Sequence, residues 1–231
     1  MEVKIVVLTL NEGENIQRVL TEFRNQLVGL DVKVTVIDGN STDDTVDNAK
    51  ATGVDVIIQR TRGKGAAIKE ALECLEADIF VFIDGDGTYD PSEVDGFVAP
   101  LVDDEADMVI GSRFLGEMES VSMTPLNRLG NRFFNALINV SKEYRVTDAL
   151  SGYCALREEC LRDISLASEG FEIEAELTME FLSRGYTVKE TPISYRRRRE
   201  GKKKLRPIRD GFRILKTVLS YFEESPQLEY S

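Results

Sequence analysis

Two apolar, β-branched runs in this chain end in the same way: residues 34–40 read VTVIDGN and residues 79–87 read IFVFIDGDG. Apolar runs of this kind alternate with helix-period segments through the first half, which is the pattern of strands joined by crossover helices in a parallel sheet. Each of the two runs then delivers an Asp to the carboxyl edge of the sheet, where ligands of open α/β folds bind. Strands are predicted at residues 3–9, 32–37, 54–59, 79–83 and 108–110. Between them fall a helix with Ile16, Val19, Leu20, Phe23 and Leu27 on one face, a helix starting near Asp43, and a helix over 66–75. Past Gly111 the rhythm loosens into a helix at 127–139, a short strand at 153–156, a helix at 174–183, a strand at 188–194 and a last helix from Pro207 to about Glu224.

Composition narrows the chemistry. At 231 residues and 42% hydrophobic content the chain can bury one substantial core. Its 41 acidic and 29 basic residues leave a net charge of -12, which excludes a general nucleic-acid binder and suits a salt-loving source. No histidine occurs, so Ser-His-Asp triads, His-ligated zinc and imidazole acid–base chemistry are excluded together, and carboxylates must do the ionic work. Cys74, Cys154 and Cys160 lack metal-ligand spacing, read as small core residues, and fit a reducing cytoplasm. The opening MEVKIVVLTL runs straight into a strand pattern, and no apolar run approaches the ~20 residues of a spanning helix, so a soluble chain is expected.

The turn Asp84-Gly85-Asp86 places two carboxylates a residue apart, and a flexible glycine between them lets both converge on one cation, or on one ion plus a ribose. A hard ion held by one or two carboxylates and substrate phosphates is typical of magnesium or manganese. Alone, acidic residues beside glycine are more often solvated turn formers.

The turn has company. LTLNEGENI (8–16), DGNSTDDT (38–45), RGKGAAIKEAL (62–72) and DGDGTYDP (84–91) together resemble the family 2 glycosyltransferases of the GT-A fold in order and spacing. GSRF (111–114), TDALSGYCALR (147–157), ETPISY (190–195) and the Arg199-x-Gly201-x-x-Lys204-Leu205 run are similar to the dolichyl-phosphate mannose and glucose synthase branch. The resemblance implies an α/β GT-A fold, a mixed and mainly parallel sheet flanked by helices. It also implies one domain over 1–205, with a nucleotide-sugar half (1–112), an acceptor half (113–205) and an amphipathic helix and tail (206–231). It implies further that Asp38 meets the nucleotide base, that Asn11 and Glu12, after Leu8, lie near base and ribose, and that Asp84 and Asp86 serve ribose and metal. Lys64 is expected to bring positive charge and backbone N–H groups to the diphosphate, with help from Arg60 and Arg62. The chain departs from the family at Leu8, where proline is common, at Gly39 and at Thr88, which leaves a third metal ligand open.

Transfer of a sugar to a hydroxyl needs a general base, whereas a phosphate acceptor is already anionic and needs cations to position it. Arg113, Arg128, Arg132, Arg199 and Lys204 resemble the lipid-phosphate cradle of dolichyl-phosphate synthases, with Arg113 and Arg199 closest to the chemistry. Residues 196–216 hold eleven Lys or Arg against Glu200 and Asp210, a polybasic stretch suited to an anionic membrane surface or a lipid phosphate. In the helix beyond, Ile208, Phe212, Leu215, Leu219 and Phe222 form one apolar stripe, expected to dock on the core. The expected activity is inverting transfer of a hexose from a UDP-sugar, UDP-glucose ahead of GDP-sugars, to dolichyl phosphate for protein N-glycosylation. The expected location is the cytoplasmic membrane face, with the protein peripheral or cut from a longer chain that carries membrane helices. Two alternatives stand beside it: a family 2 transferase acting on a saccharide or protein hydroxyl, with Glu172, Glu174 or Glu176 as base, and a noncatalytic nucleotide-sugar or lipid-binding module.

Overall fold

Period-two alternation along the central strands decides which helices cover which face of the sheet. In the computed structural model, which describes residues 1–23, 30–140, 145–201 and 203–224, β1 (Glu2–Thr9) turns Val3, Ile5 and Val7 to one face and Val6 and Leu8 to the other. β4 (Ile79–Asp84) sorts Ile79, Val81 and Ile83 from Phe80 and Phe82 in the same way. On the first face, α1 (Gly13–Glu22) contributes Ile16, Val19 and Leu20, and α4 (Asp95–Val102) contributes Phe97, Val98 and Leu101. On the second, α3 (Lys64–Cys74) and α6 (Ile173–Ser183) contribute Ala67, Ile68, Ile173, Leu177 and Phe181. Each fully buried large side chain here contributes roughly 1.5–3 kcal/mol relative to exposure.

Seven strands form one sheet in the order β3-β2-β1-β4-β6-β5-β7. β2 (Asp31–Asp38) and β3 (Asp55–Ile58), linked through α2 (Thr45–Lys50), run parallel to β1 and β4. β6 (Cys154–Arg157) is antiparallel to β4 and to β5 (Met108–Ser112), and β7 (Val188–Pro192) lies parallel on the outer side of β5. This is the mixed, mainly parallel α/β sheet expected. A third core joins α5 (Pro125–Ile138), α6 and α7 (Pro207–Glu224) through Phe134, Ile138, Met179, Ile214 and Val218. α5 begins with Pro125 in its first turn and with Thr124 Oγ1 accepting from Asn127 N–H, a normal helix start.

Three expectations change. No helix is predicted between Asp84 and Met108, yet α4 forms there around an internal Pro100. The predicted docking stripe of α7 holds at Leu215, which packs against the third core, and fails at its other four positions: Ile214 and Val218 are buried instead, while Ile208, Phe212, Leu219 and Phe222 are exposed. Of the three cysteines, all free, Cys154 and Cys160 are buried but Cys74 is exposed at the end of α3. Leu27 lies outside the described residues. No helix among the described residues is long and apolar enough to cross a membrane.

Candidate active site

The parallel register brings three strand ends level, with Thr9 opposite Asp38 and Leu8 opposite Asp84. Over that edge lies a cavity of about 680 Å³, within the range that holds small-molecule ligands. Leu8, Asn11, Glu12, Lys64, Asp84, Asp86, Arg113 and Lys204 line it, as does Arg62. Arg128, Arg132 and Arg199 are exposed and do not line it.

Asp84 and Asp86 stand at the end of β4. A Cβ on Gly85 would come 2.5 Å from Thr9 Cγ2, and the Gly85 amide donates to the Leu8 carbonyl at 2.9 Å. Glycine is therefore needed for close approach to β1, and the turn is pinned where flexibility was expected. Lys64 Nζ lies 2.6 Å from Asp84 Oδ1 and 2.7 Å from Glu174 Oε1. Burial pulls Lys64 toward neutrality, but the two carboxylates outweigh it and hold its pKa well above the ordinary lysine value. Burial also pushes Asp84 and Glu174 up, with Lys64 acting against that rise. Asp86 Oδ1 accepts from the Thr88 amide (3.0 Å) and hydroxyl (2.7 Å), and its Oδ2 accepts from Arg198 Nη1 at 2.7 Å.

Lys64 thus brings its charge, while the two amides that follow it are taken up within the fold. Gly65 N–H donates to Gly170 O and Ala66 N–H to Glu169 O. A Cβ on Gly65 would sit 2.4 Å from Ser168 O, so this glycine serves the packing of α3 on the loop before α6. Arg60 turns away to Glu70 and Glu73.

Asp38 is fully buried and lies behind the cavity wall. It accepts from Thr9 Oγ1 (3.0 Å), Ser41 N–H (2.8 Å) and Ser41 Oγ (2.6 Å), and so shapes a turn whose Gly39, Asn40 and Thr42 do face the cavity. Asn11, at φ +50°, accepts from Thr42 N–H at 2.8 Å and ties that turn to the one after β1. Arg113 is buried and forked on Asp148, through Nε to Oδ2 and Nη2 to Oδ1, both at 2.7 Å, with Nη2 also donating to Asn131 and the Leu150 carbonyl. Burial works against its charge, but the Asp148 carboxylate outweighs burial and keeps it protonated. Its guanidinium lies 5.4 Å from the Tyr195 ring centre.

Sequence reasoning missed Arg198, which joins Asp86 to Glu12 and shares Glu12 with Lys204. The signal was present in the four arginines 196–199. Along an extended segment alternate side chains share a side, and here Arg196 reaches Asp90 while Arg198 reaches Asp86, leaving Arg197 and Arg199 exposed.

Among the described residues no three His, Cys, Asp or Glu side chains converge as a metal cluster. Two hard oxygen donors on one pinned turn nevertheless fit a magnesium or manganese ion whose remaining ligands come from a diphosphate and water. Asp84 and Asp86 are the residues that would hold it.

The family model for glycosyl transferase family 2 matches residues 4–165. Among curated proteins, the glycosyltransferase AglJ of Haloferax volcanii is 39% identical over 209 residues, covering 90% of this chain and 67% of that protein. The low-salt glycan biosynthesis hexosyltransferase Agl6 of the same organism is 32% identical, and the chain spans 52% of its length. A third protein from that organism, a dolichyl-phosphate hexose transferase, is 33% identical, covering 94% of this chain and 92% of that one. Among solved structures, glucosyl-3-phosphoglycerate synthase of Mycobacterium tuberculosis, with Mn2+ and UDP-glucose, superposes with a TM-score of 0.78. It is 25% identical over 98% of this chain and 80% of that one.

Proposed function

The chain belongs to glycosyl transferase family 2, and we propose that it transfers a hexose, with inversion, from UDP-glucose to dolichyl phosphate at the cytoplasmic face of the membrane, for protein N-glycosylation. The observation that carries this reading is the pairing of charges in the cavity. Each acidic residue lining it is ion-paired: Glu12 with Arg198 and Lys204, Asp84 with Lys64, Asp86 with Arg198, and Glu174 with Lys64. No free carboxylate among these is placed as the general base that a hydroxyl acceptor requires. An anionic phosphate needs no base, and the cations of the same wall suit it. α5, α7 and the segment before α5 add Met123, Leu126, Phe134, Ile208 and Ile214 to the lining, beside Asn127 and Asn131, an apolar share that suits a prenyl tail better than a sugar.

The donor half of the reading draws on the relatives. The mycobacterial neighbour binds UDP-glucose and Mn2+, and one haloarchaeal relative is a dolichyl-phosphate hexose transferase. Manganese or magnesium held by Asp84 and Asp86 would offset charge on the departing diphosphate. Lys64 adds a fixed positive charge beside it. Arg113, gripped by Asp148, and Arg198 and Lys204 orient the acceptor oxygen for attack on the anomeric carbon from the face opposite the leaving group. As that C–O bond forms, the bond to the nucleotide diphosphate breaks.

A panel of labelled UDP- and GDP-sugars with dolichyl phosphate tests the reading, with EDTA and with manganese or magnesium restored. Lipid-linked sugar from UDP-glucose, lost with EDTA and regained with metal, is expected. Transfer to a soluble glycan in place of the lipid would refute it.

A further inference from the structure

Just past Asp86 the chain places Tyr89 in the cavity wall, where it is only 3% exposed. Its ring packs against Tyr153 and Tyr195, with centroids 5.7 and 5.4 Å away, and its main chain bridges to that of Tyr195. The phenol is therefore fixed in place. Its oxygen accepts from Gly152 N–H at 2.9 Å, and Gly152 in turn backs onto the donor-side charges: a Cβ there would lie 2.5 Å from Lys64 Nζ and 2.6 Å from Asp84 Oδ2. On the other side, the Arg113 guanidinium lies 5.4 Å from the Tyr195 ring that packs on Tyr89. A neutral hydroxyl thus stands between the Lys64–Asp84 pair and Arg113.

The oxygen of this hydroxyl is used, and its proton is not. Among the described residues no carboxylate, carbonyl or hydroxyl accepts from Tyr89, whereas a buried phenol ordinarily finds a partner for its O–H. Arg113 has the same surplus. Its Nε and Nη2 are taken by Asp148, Asn131 and the Leu150 carbonyl, while no described residue accepts from Nη1. Two unspent donors on one wall suit a group that accepts at several points and carries negative charge, as a phosphate does. Burial pushes the Tyr89 phenol up, so it keeps its proton through the neutral range.

We propose that Tyr89 is a binding residue for the acceptor phosphate: its hydroxyl donates to one phosphate oxygen while Arg113 Nη1 holds another. The inference rests on the lipid-phosphate reading above and adds to it a contact that carries no charge. Attack on the anomeric carbon turns a phosphate monoester into a diester, with less negative charge. A neutral donor serves the group in both states, and it lowers the basicity of the attacking oxygen less than a further cation would.

The test compares the parent protein with Tyr89→Phe and with a form in which Tyr89 is replaced by 3-fluorotyrosine, a stronger donor and a weaker acceptor. Calorimetry reads the binding of geranyl phosphate and, separately, of UDP with manganese. Tyr89→Phe is expected to bind geranyl phosphate roughly ten- to a hundredfold more weakly and UDP as the parent does. In steady-state kinetics kcat/KM for dolichyl phosphate falls by a similar factor, with KM for UDP-glucose unchanged. Tyr89→Phe also strands the Gly152 amide, and the fluorinated form separates that loss from the phosphate contact: it should melt lower yet bind geranyl phosphate more tightly. Equal geranyl phosphate binding by Tyr89→Phe, a loss that falls on UDP, a fluorinated form that binds geranyl phosphate no better than the parent, or a parent that does not bind it at all overturns the proposal. Transfer to dolichyl phosphate at the parent rate in Tyr89→Phe does so while leaving the acceptor reading intact. Binding that depends on Tyr89 without sugar transfer to any prenyl phosphate leaves the contact standing and overturns the acceptor reading instead.

Discussion

Replacing Arg113 with methionine separates the two tasks assigned to that residue. Its guanidinium makes two 2.7 Å bonds to Asp148, which is wholly buried, while the Arg113 backbone amide supplies a third bond at 2.9 Å. Removing one partner of a buried pair costs about 3–5 kcal/mol, because the other charge is left without compensation. Here the amide still serves Asp148, which places the loss near the lower end, at about 3 kcal/mol. For a domain of this size each kcal/mol moves the melting temperature by about 2–4 °C, so Arg113→Met should melt ~6–12 °C below the parent by circular dichroism. Adding Asp148→Leu removes the stranded carboxylate and should recover much of that loss. Transfer should stay low in both variants, since neither offers a cation to the acceptor. A single variant melting within ~2 °C of the parent would refute the energetic reasoning, and recovery of activity in the double variant would refute the role in acceptor positioning.

Asp84→Asn combined with Asp86→Asn should lower metal-dependent transfer by about 10³-fold with an unchanged circular dichroism spectrum; an unchanged rate would remove both residues from the mechanism. Gly152→Ala is aimed at the same place from behind: its Cβ would lie 2.5 Å from Lys64 Nζ and 2.6 Å from Asp84 Oδ2. Steady-state kinetics should show kcat/KM for the donor reduced by ~10–100-fold with little change in melting, and a donor response equal to the parent's would count against the Lys64–Asp84 pair. Thiol chemistry reports the burial of the cysteines. Burial pushes Cys154 up to about 12 and Cys160 up to about 11, so near neutral pH both stay protonated and unreactive, and their thiolates appear only as pH rises toward those values. A disulfide reagent should modify Cys74 rapidly in the native protein and the other two only after unfolding; equal native rates for all three would contradict that burial.

Much of the donor end was legible because strand ends are local signals. β1, β2 and β4 each announce themselves by runs rich in apolar, β-branched residues, and an Asp closing two of them marks the ligand edge of the sheet. What those side chains do there depends on neighbours distant in sequence. Asp38 reads as open to a ligand, but Thr9 and Ser41 enclose it. The glycine between Asp84 and Asp86 reads as slack, yet Thr9 crowds it. On the acceptor side, Arg199 was chosen from a motif, whereas the extended course of residues 195–198 turns Arg198 inward. The α7 stripe failed at all but Leu215 for another reason: the helix carries apolar residues on two sides, and periodicity alone does not say which side meets the core. α4 was hidden by Pro100, a residue that ordinarily ends helices.

β6 is a small strand with a mechanical consequence. It runs backward between β4 and β5, paired at four positions with one and three with the other, and β7 adds a third ladder on the far side of β5, so strands from late in the chain are laced into the sheet that the early strands begin. Swinging early and late strands apart like two leaves would tear all three seams, leaving the floor of the cleft as a fixed anvil. Over that floor Arg198 and Lys204 reach Asp86 and Glu12, so an incoming phosphate and these two carboxylates compete for the same cations.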